Sequence, residues 1–229
     1  MRRPLLIAAA LGTAWASPAP APIVPAIARV LGLPRRTSHG SGVAVTFDDG
    51  PHPQGTPAVL EELREAGAVA TFFLVGEQLE RYPSLGAEII AAGHAVALHG
   101  HRHRNLLRLT PRQLAADLER GRATIGDWTG VQPTVYRPPF GIFSAAGPGI
   151  VRSLGLRTLL WSRWGHDWRA RTTPGAIATE VSTALCGGDV LLLHDADHYS
   201  AAGSWQRTAA ALPRVLAAIE AAGLRAVAI

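Results

Sequence analysis

A chain of 229 residues, 48% of them hydrophobic, can bury one sizeable core, and its apolar content excludes an intrinsically disordered protein. The formal charge is +5, carried by 22 basic residues that are all arginine, yet Arg2, Arg3, Arg29, Arg35 and Arg36 precede the first acidic residue, Asp48. Beyond residue 36 arginines and acidic residues are equal in number, so no net basic domain remains to follow a phosphate backbone and nucleic acid is not expected as a partner.

Residues 1–38 read as a signal-like hydrophobic leader and a Pro-rich linker. The start "MRRPLLIAAALGTAWASPAPAP" has a basic beginning, an apolar stretch from Pro4 to Ala16 and an Ala14-Trp15-Ala16 exit, the layout of a secretory signal. That stretch is short of the roughly 20 residues of a membrane span. Export, to the medium or the cell envelope, is therefore expected, with cleavage before Ser17. An uncleaved tail lying on the domain or on a membrane, or a cytoplasmic protein, is the alternative. Pro18, Pro20, Pro22, Pro25 and Pro34 mark the linker.

The domain proper is expected over residues 39–229, as a monomer. Seven short apolar runs follow one another: GVAVTF (42–47), VATFFLVG (69–76), HAVALH (94–99), TVYR (134–137), RTLLWS (157–162), DVLLLH (189–194) and LRAVAI (224–229). Segments with helix signals separate them, including Thr110-Pro111 and Thr173-Pro174 as openings and Gly67, Gly93 and Gly223 as closures. Seven strands alternating with six helices predict a parallel α/β sheet curled into an incomplete barrel. No repeat is visible.

In such folds the reacting groups gather at the C-terminal strand ends. Polar residues do follow the runs here: Asp48 and Asp49 the first, His99 the third, Arg137 the fourth, Asp167 the fifth and His194 the sixth. "TFDDGP" by itself reads as a turn, but two adjacent carboxylates repel unless a cation or an arginine offsets them. In "HGHRHRNL", a helical turn would put His99 and His103 on one face and His101 on another. Adding a carboxylate such as Asp49 gives two imidazoles and one oxygen ligand, the pattern of a catalytic metal centre. His101 and His94 are read as structural. Cys186, lone in "STALCGG", is read as a small buried hydrophobe.

Over residues 42–229 the sequence resembles the polysaccharide deacetylases of carbohydrate esterase family 4, the NodB homology group. Five motifs carry the resemblance in order: "TFDDGP", "GHAVALHGHRH", "YRPPFG", "WSRWGHDW" and "VLLLHD". It implies a distorted, NodB-like (β/α) barrel in which Asp49, His99 and His103 bind a divalent metal, zinc by default, with cobalt or nickel also suited. Asp48 would be the base toward metal-bound water, oriented by Arg137, and His194 the acid that protonates the leaving nitrogen, kept charged by Asp167. Phe140 would supply a backbone N–H to the oxyanion, and Leu192 a pocket for the acetyl methyl.

Two departures stand out: Gly100 where the family commonly has Ser or Thr, and Trp164 at an acidic position of the fourth motif. Trp161 is read as core, Trp168 as a groove wall, and Trp164 as either. "DADHYSAAGSW" is read as a polar loop near the substrate, with His198 solvated in it. The implied activity is removal of N-acetyl groups from a chitin-like or peptidoglycan-like amino-sugar chain, so the expected partner is an acetylated glycan. An O-acetyl esterase on xylan-like glycans, a small-amide C–N hydrolase and a non-catalytic glycan-binding domain remain as alternatives.

Overall fold

The computed structural model describes residues 12–229. The basic start and most of the apolar stretch of the leader, residues 1–11, lie outside the described residues. Among the described residues no helix is long and apolar enough to cross a membrane.

Every apolar run contributes to one parallel sheet. Its strands are β1 (Gly42–Asp48), β2 (Thr71–Leu74), β3 (Ala95–Leu98), β4 (Val135–Tyr136), β5 (Arg157–Thr158), β6 (Arg163–Trp164), β7 (Val190–His194) and β8 (Arg225–Val227). Their spatial order is β5-β4-β3-β2-β1-β7-β6, with β8 pairing the first half of β1. All seven residues of β1 and all four of β2 are buried, as expected of strands covered on both faces. This is the incomplete parallel (β/α) barrel expected from the runs.

The fifth run departs from the expectation of one continuous strand. Its first two residues pair with β4 at one edge of the sheet, while the two residues that follow it, Arg163 and Trp164, pair with β7 at the other. Residues 159–162 cross the gap between the two edges. Their backbone bonds are found on three sides: Leu159 N–H donates to the Tyr136 carbonyl (3.0 Å), Leu160 N–H to that of Pro34 (2.8 Å) and Ser162 N–H to that of Val190 (3.0 Å). The run breaks because no single neighbouring strand can satisfy it.

Helices cover the outside. They are α1 (Pro25–Val30), α2 (Gly55–Glu65), α3 (Gly76–Arg81), α4 (Pro83–Ala91), α5 (Pro111–Thr129), α6 (Gly147–Ser153), α7 (Pro174–Ser182) and α8 (Ser204–Ala221). Helix α5 opens with a full capping box: Thr110 Oγ1 accepts from the Gln113 N–H while the Gln113 side chain accepts from the Thr110 N–H. Thr173 caps α7 in the same sense, accepting from the Ala176 N–H.

Residues 17–38 lie against the domain, supplying Ala21, Ala28 and Leu33 to the core. Arg35 Nε donates to the Trp161 carbonyl at 2.8 Å, next to the Pro34 contact, so this segment holds the crossing between the sheet edges. Cys186 corrects the sequence reading: it is exposed, and its sulfur accepts from Arg36 at 2.8 Å. Its apolar neighbours misled because α7 ends at Ser182 and leaves it on irregular chain before β7.

Candidate active site

The site forms where β1, β3, β4 and β7 end. Asp48 closes β1, and Asp49 follows in the left-handed region at φ +77°, a conformation that Asp tolerates better than most residues. Gly50 is set by room. A Cβ there would lie 2.5 Å from Oδ2 of Asp195, whose fully buried carboxyl sits beneath the turn and accepts from Thr56 Oγ1. Burial pushes the Asp195 pKa up to about 7. The Gly50–Pro51 peptide is cis.

Arg137 follows β4 and is wholly buried, yet every arm of its guanidinium is used. Nη1 donates to Asp48 Oδ1 (2.6 Å) and Thr46 Oγ1 (2.8 Å), Nε to the Leu159 carbonyl (3.1 Å) and Nη2 to that of Leu160 (3.0 Å). Its carbon lies 3.9 Å from the centroid of the Phe73 ring. Burial lowers the Arg137 pKa from its ordinary value and Asp48 opposes that. The two carbonyls come from the segment that crosses between the sheet edges, so the break in the fifth run is what shapes the arginine's seat.

Asp49 faces two histidines. Its Oδ1 is 3.4 Å from His99 Nε2 and 3.3 Å from His103 Nε2, and it is buried without a hydrogen-bond partner. His99 is oriented from behind, its Nδ1 lying 2.8 Å from the Arg137 carbonyl, which can only accept. The proton is therefore on Nδ1, leaving Nε2 toward Asp49. Burial pushes the Asp49 pKa up, but the imidazoles of His99, His194 and His103 around it outweigh burial and hold the carboxyl well below its usual range. Burial pulls His103 down to about 4. The three candidate ligand atoms lie within 4.8 Å of one another around an orphaned carboxylate oxygen, which fits a divalent cation.

No helix carries this histidine pair, contrary to the helical turn expected from the spacing. Residues 99–105 form an irregular loop that turns at Gly100, φ +96°. Asp117 on α5 braces it, accepting from the His101 N–H (2.9 Å) and from Arg104 (2.6 Å). His101 points away from the pair, buried beside Gly76 with Nε2 4.0 Å from Glu80. His94 accepts from the Ala70 N–H at 3.3 Å, a structural role.

Across the site, His194 ends β7 with Nδ1 3.0 Å from Asp167 Oδ1 and Nε2 3.9 Å from Asp49 Oδ2. Asp167 is itself fixed, its Oδ2 accepting from the His194 N–H (2.7 Å) and Thr208 Oγ1 (2.8 Å). Burial alone would lower the His194 pKa. The charge and hydrogen bond of Asp167, helped by Asp49 and Asp48, raise it instead to about 10.

A cavity of about 340 Å³ opens over Asp49, His103 and His194, walled by Phe140, Trp161, Trp168, Leu192 and Tyr199. Trp168 meets His194 edge-on at 5.5 Å. Phe140, at φ +59°, is 55% exposed at the mouth. Thus Asp48, Asp49, His99, His103, Arg137, Phe140, Asp167, Trp168, Leu192 and His194 are brought to one end of the sheet.

The sequence profile described as polysaccharide deacetylase matches residues 35–159. The chain belongs to the polysaccharide deacetylase family. It is 34% identical over 185 residues to a peptidoglycan-N-acetylglucosamine deacetylase of Bacillus cereus, covering 80% of this chain and 84% of that protein. A chitooligosaccharide deacetylase of Azorhizobium caulinodans is 34% identical over 202 residues, 85% of this chain and 96% of that one. Among solved structures, a family 4 carbohydrate esterase from Streptomyces lividans in complex with acetate superposes with a TM-score of 0.74 at 31% identity, covering 82% of this chain and 93% of that chain.

Within this family member, the loop after β7 holds what the sequence reading missed. His198 is half-buried rather than solvated, with Nε2 3.2 Å from the Pro51 carbonyl and its ring stacked on Tyr82. His52, Asp197 and His198 form a second group with ligand atoms within 4.8 Å of one another. There, however, His52 Nδ1 accepts from the Gly55 N–H (2.9 Å), so its proton is on Nε2, facing Asp197 at 3.2 Å. That trio is a hydrogen-bonded clasp between the loops after β1 and β7. Trp164 is half-buried against the core, its indole N–H donating to His166.

Proposed function

We propose that the chain is a metal-dependent hydrolase that removes the N-acetyl group from an amino-sugar unit of a glycan. The observation that carries the reading is the convergence, at one end of the sheet, of a buried Asp48–Arg137 pair, an orphaned Asp49 oxygen between two histidines, and a charged His194. Asp49, His99 and His103 would hold the ion, with zinc the first choice for two imidazoles and a carboxylate. A divalent ion there supplies Lewis acidity, polarising a carbonyl and acidifying water.

The chain's own groups divide the proton work. Asp48 is locked through Oδ1 to Arg137, which leaves Oδ2 as the acceptor for a proton. Arg137 pairs with that carboxylate in the interior and fixes its orientation. His194, charged through Asp167, is the donor to the leaving nitrogen. An amine leaves only once protonated, and this need separates amide from ester cleavage. Leu192 suits an acetyl methyl and the Trp168 wall a sugar face, and the Phe140 backbone N–H is assigned to the developing oxyanion.

The leader supports action outside the cytoplasm: if residues 1–16 are removed, the segment from Ser17 that supplies Ala21, Ala28 and Leu33 to the core stays. The decisive experiment follows acetate and free amine together from N-acetylglucosamine oligomers, peptidoglycan, acetylxylan and small amides. Matched acetate and amine from the N-acetyl glycans supports the reading. Acetate from acetylxylan alone would move the protein to O-acetyl esterase chemistry.

A further inference from the structure

His99 and His103 both face Asp49, but only His99 has a hydrogen bond behind it. Among the described residues no hydrogen bond orients the His103 ring. What touches it is aromatic. The Tyr199 ring lies on its face, centroids 4.2 Å apart and planes 10° from parallel, and Phe140 meets it edge-on at 4.5 Å. Tyr199 is in turn tied down from outside: its hydroxyl donates to Glu77 Oε1 (2.9 Å) and accepts from Gln78 Nε2 (2.8 Å), both in the first turn of α3. One face of the tyrosine is thus taken by His103 and its hydroxyl by α3. A side chain so engaged is a poor stacking platform for a sugar.

We infer that Tyr199 is a positioning residue for the metal ligand His103, setting the plane of the imidazole by stacking while Glu77 and Gln78 fix the tyrosine. The inference rests on the metal-site reading above. It explains how a ligand borne on an irregular loop keeps its orientation without a carbonyl or carboxylate behind it, the support that metal-bound histidines usually have. It also links three separate segments, the loop after β3, α3 and the loop after β7, through one ring.

The test is zinc affinity, measured by competition with a chromogenic chelator, for the wild type, Tyr199→Phe and Tyr199→Leu. Loss of a group that orients a metal ligand typically weakens binding by 10- to 100-fold. Tyr199→Leu, which keeps an apolar side chain but not the ring, is expected to weaken zinc about ten-fold, and Tyr199→Phe to stay within about three-fold of wild type because stacking survives. The visible spectrum of the cobalt(II)-loaded protein should shift in the leucine variant and not in the phenylalanine one. Wild-type affinity and spectrum in Tyr199→Leu would overturn the inference. Should that variant not fold, Tyr199→Met, which also removes the ring, is expected to weaken zinc in the same direction; unchanged affinity there would equally overturn it. A wild type that binds zinc but releases no acetate from any glycan would sink the proposed activity while leaving the Tyr199 comparison standing. A wild type that binds no zinc would overturn both.

Discussion

The site has a half carried by strand ends and a half carried by loops, and they are held by different means. Asp48, His99, Arg137 and His194 stand at or next to the ends of β1, β3, β4 and β7, and their polar contacts are short, buried and directional. His103, Phe140, Trp168 and Tyr199 stand on irregular chain and are held by rings and by braces from helices, such as Asp117 on α5. The first half holds the proton-transfer groups and the ligand His99, and can be no less exact than a hydrogen bond. The second surrounds the ligand and the substrate, where packing is enough to orient and can vary with the loop. The difference predicts which substitutions abolish chemistry and which tune it.

The sharpest break should come in the strand half. Asp48→Asn keeps the shape of the carboxylate but not its basicity, so kcat should fall by about 10²- to 10⁴-fold while bound zinc, read by elemental analysis, stays. Asp49→Asn should instead empty the site. A zinc-free Asp48→Asn protein would reverse the two roles.

Next comes stability. Arg137→Met leaves Asp48 charged and unpaired in the interior, a change that typically costs about 3–5 kcal/mol, measurable in urea unfolding. A loss below about 1 kcal/mol, the range of exposed pairs, would show that the pair is solvated.

The acid side is tested by pH. His194 has its pKa raised from 6.5 to about 10, so it stays protonated at neutral pH and its proton is lost as pH rises through the higher value. The stability drawn from its pairing with Asp167 is full below 6.5 and fades toward that upper pKa. Asp167→Asn removes the main raising influence, so the alkaline limb of kcat/KM on an N-acetyl oligomer should move to lower pH. An unmoved limb would assign it to another group.

The smallest effect belongs to the loop half. Asp117→Ala strips the His101 N–H and Arg104 of their acceptor, a loss of about 1–3 kcal/mol seen as a lower Tm. With zinc saturating, kcat should hardly change. A kcat loss as large as that of Asp48→Asn would erase the distinction between the halves.

The same division decides what could be read from sequence. β1, β2, β3 and β7 were legible because strands buried on both faces leave unbroken apolar runs, and the groups ending them were legible with them. The run at 157–162 was not, since its partners change midway from β4 to β7 and nothing in RTLLWS records that. The spacing of His99 and His103 suggested a helix, yet a loop turned by Gly100 brings the same two rings together. Tyr199 and Asp195 fell within quoted stretches, "DADHYSAAGSW" and "VLLLHD", but nothing there gave either a role of its own. One lies in a polar loop without periodicity, and the other is noticed only because its carboxyl occupies the room beneath Gly50.

The central claim is that one cation, held by Asp49, His99 and His103, is needed for the strand-borne groups to cleave an N-acetyl bond. It is tested most directly by titrating the metal-stripped, folded protein with zinc while following acetate release from an N-acetylglucosamine oligomer. The account predicts activity near background without metal, rising in proportion to added zinc and levelling at one equivalent per chain. Full activity in the stripped protein, or none at any zinc level, would contradict it.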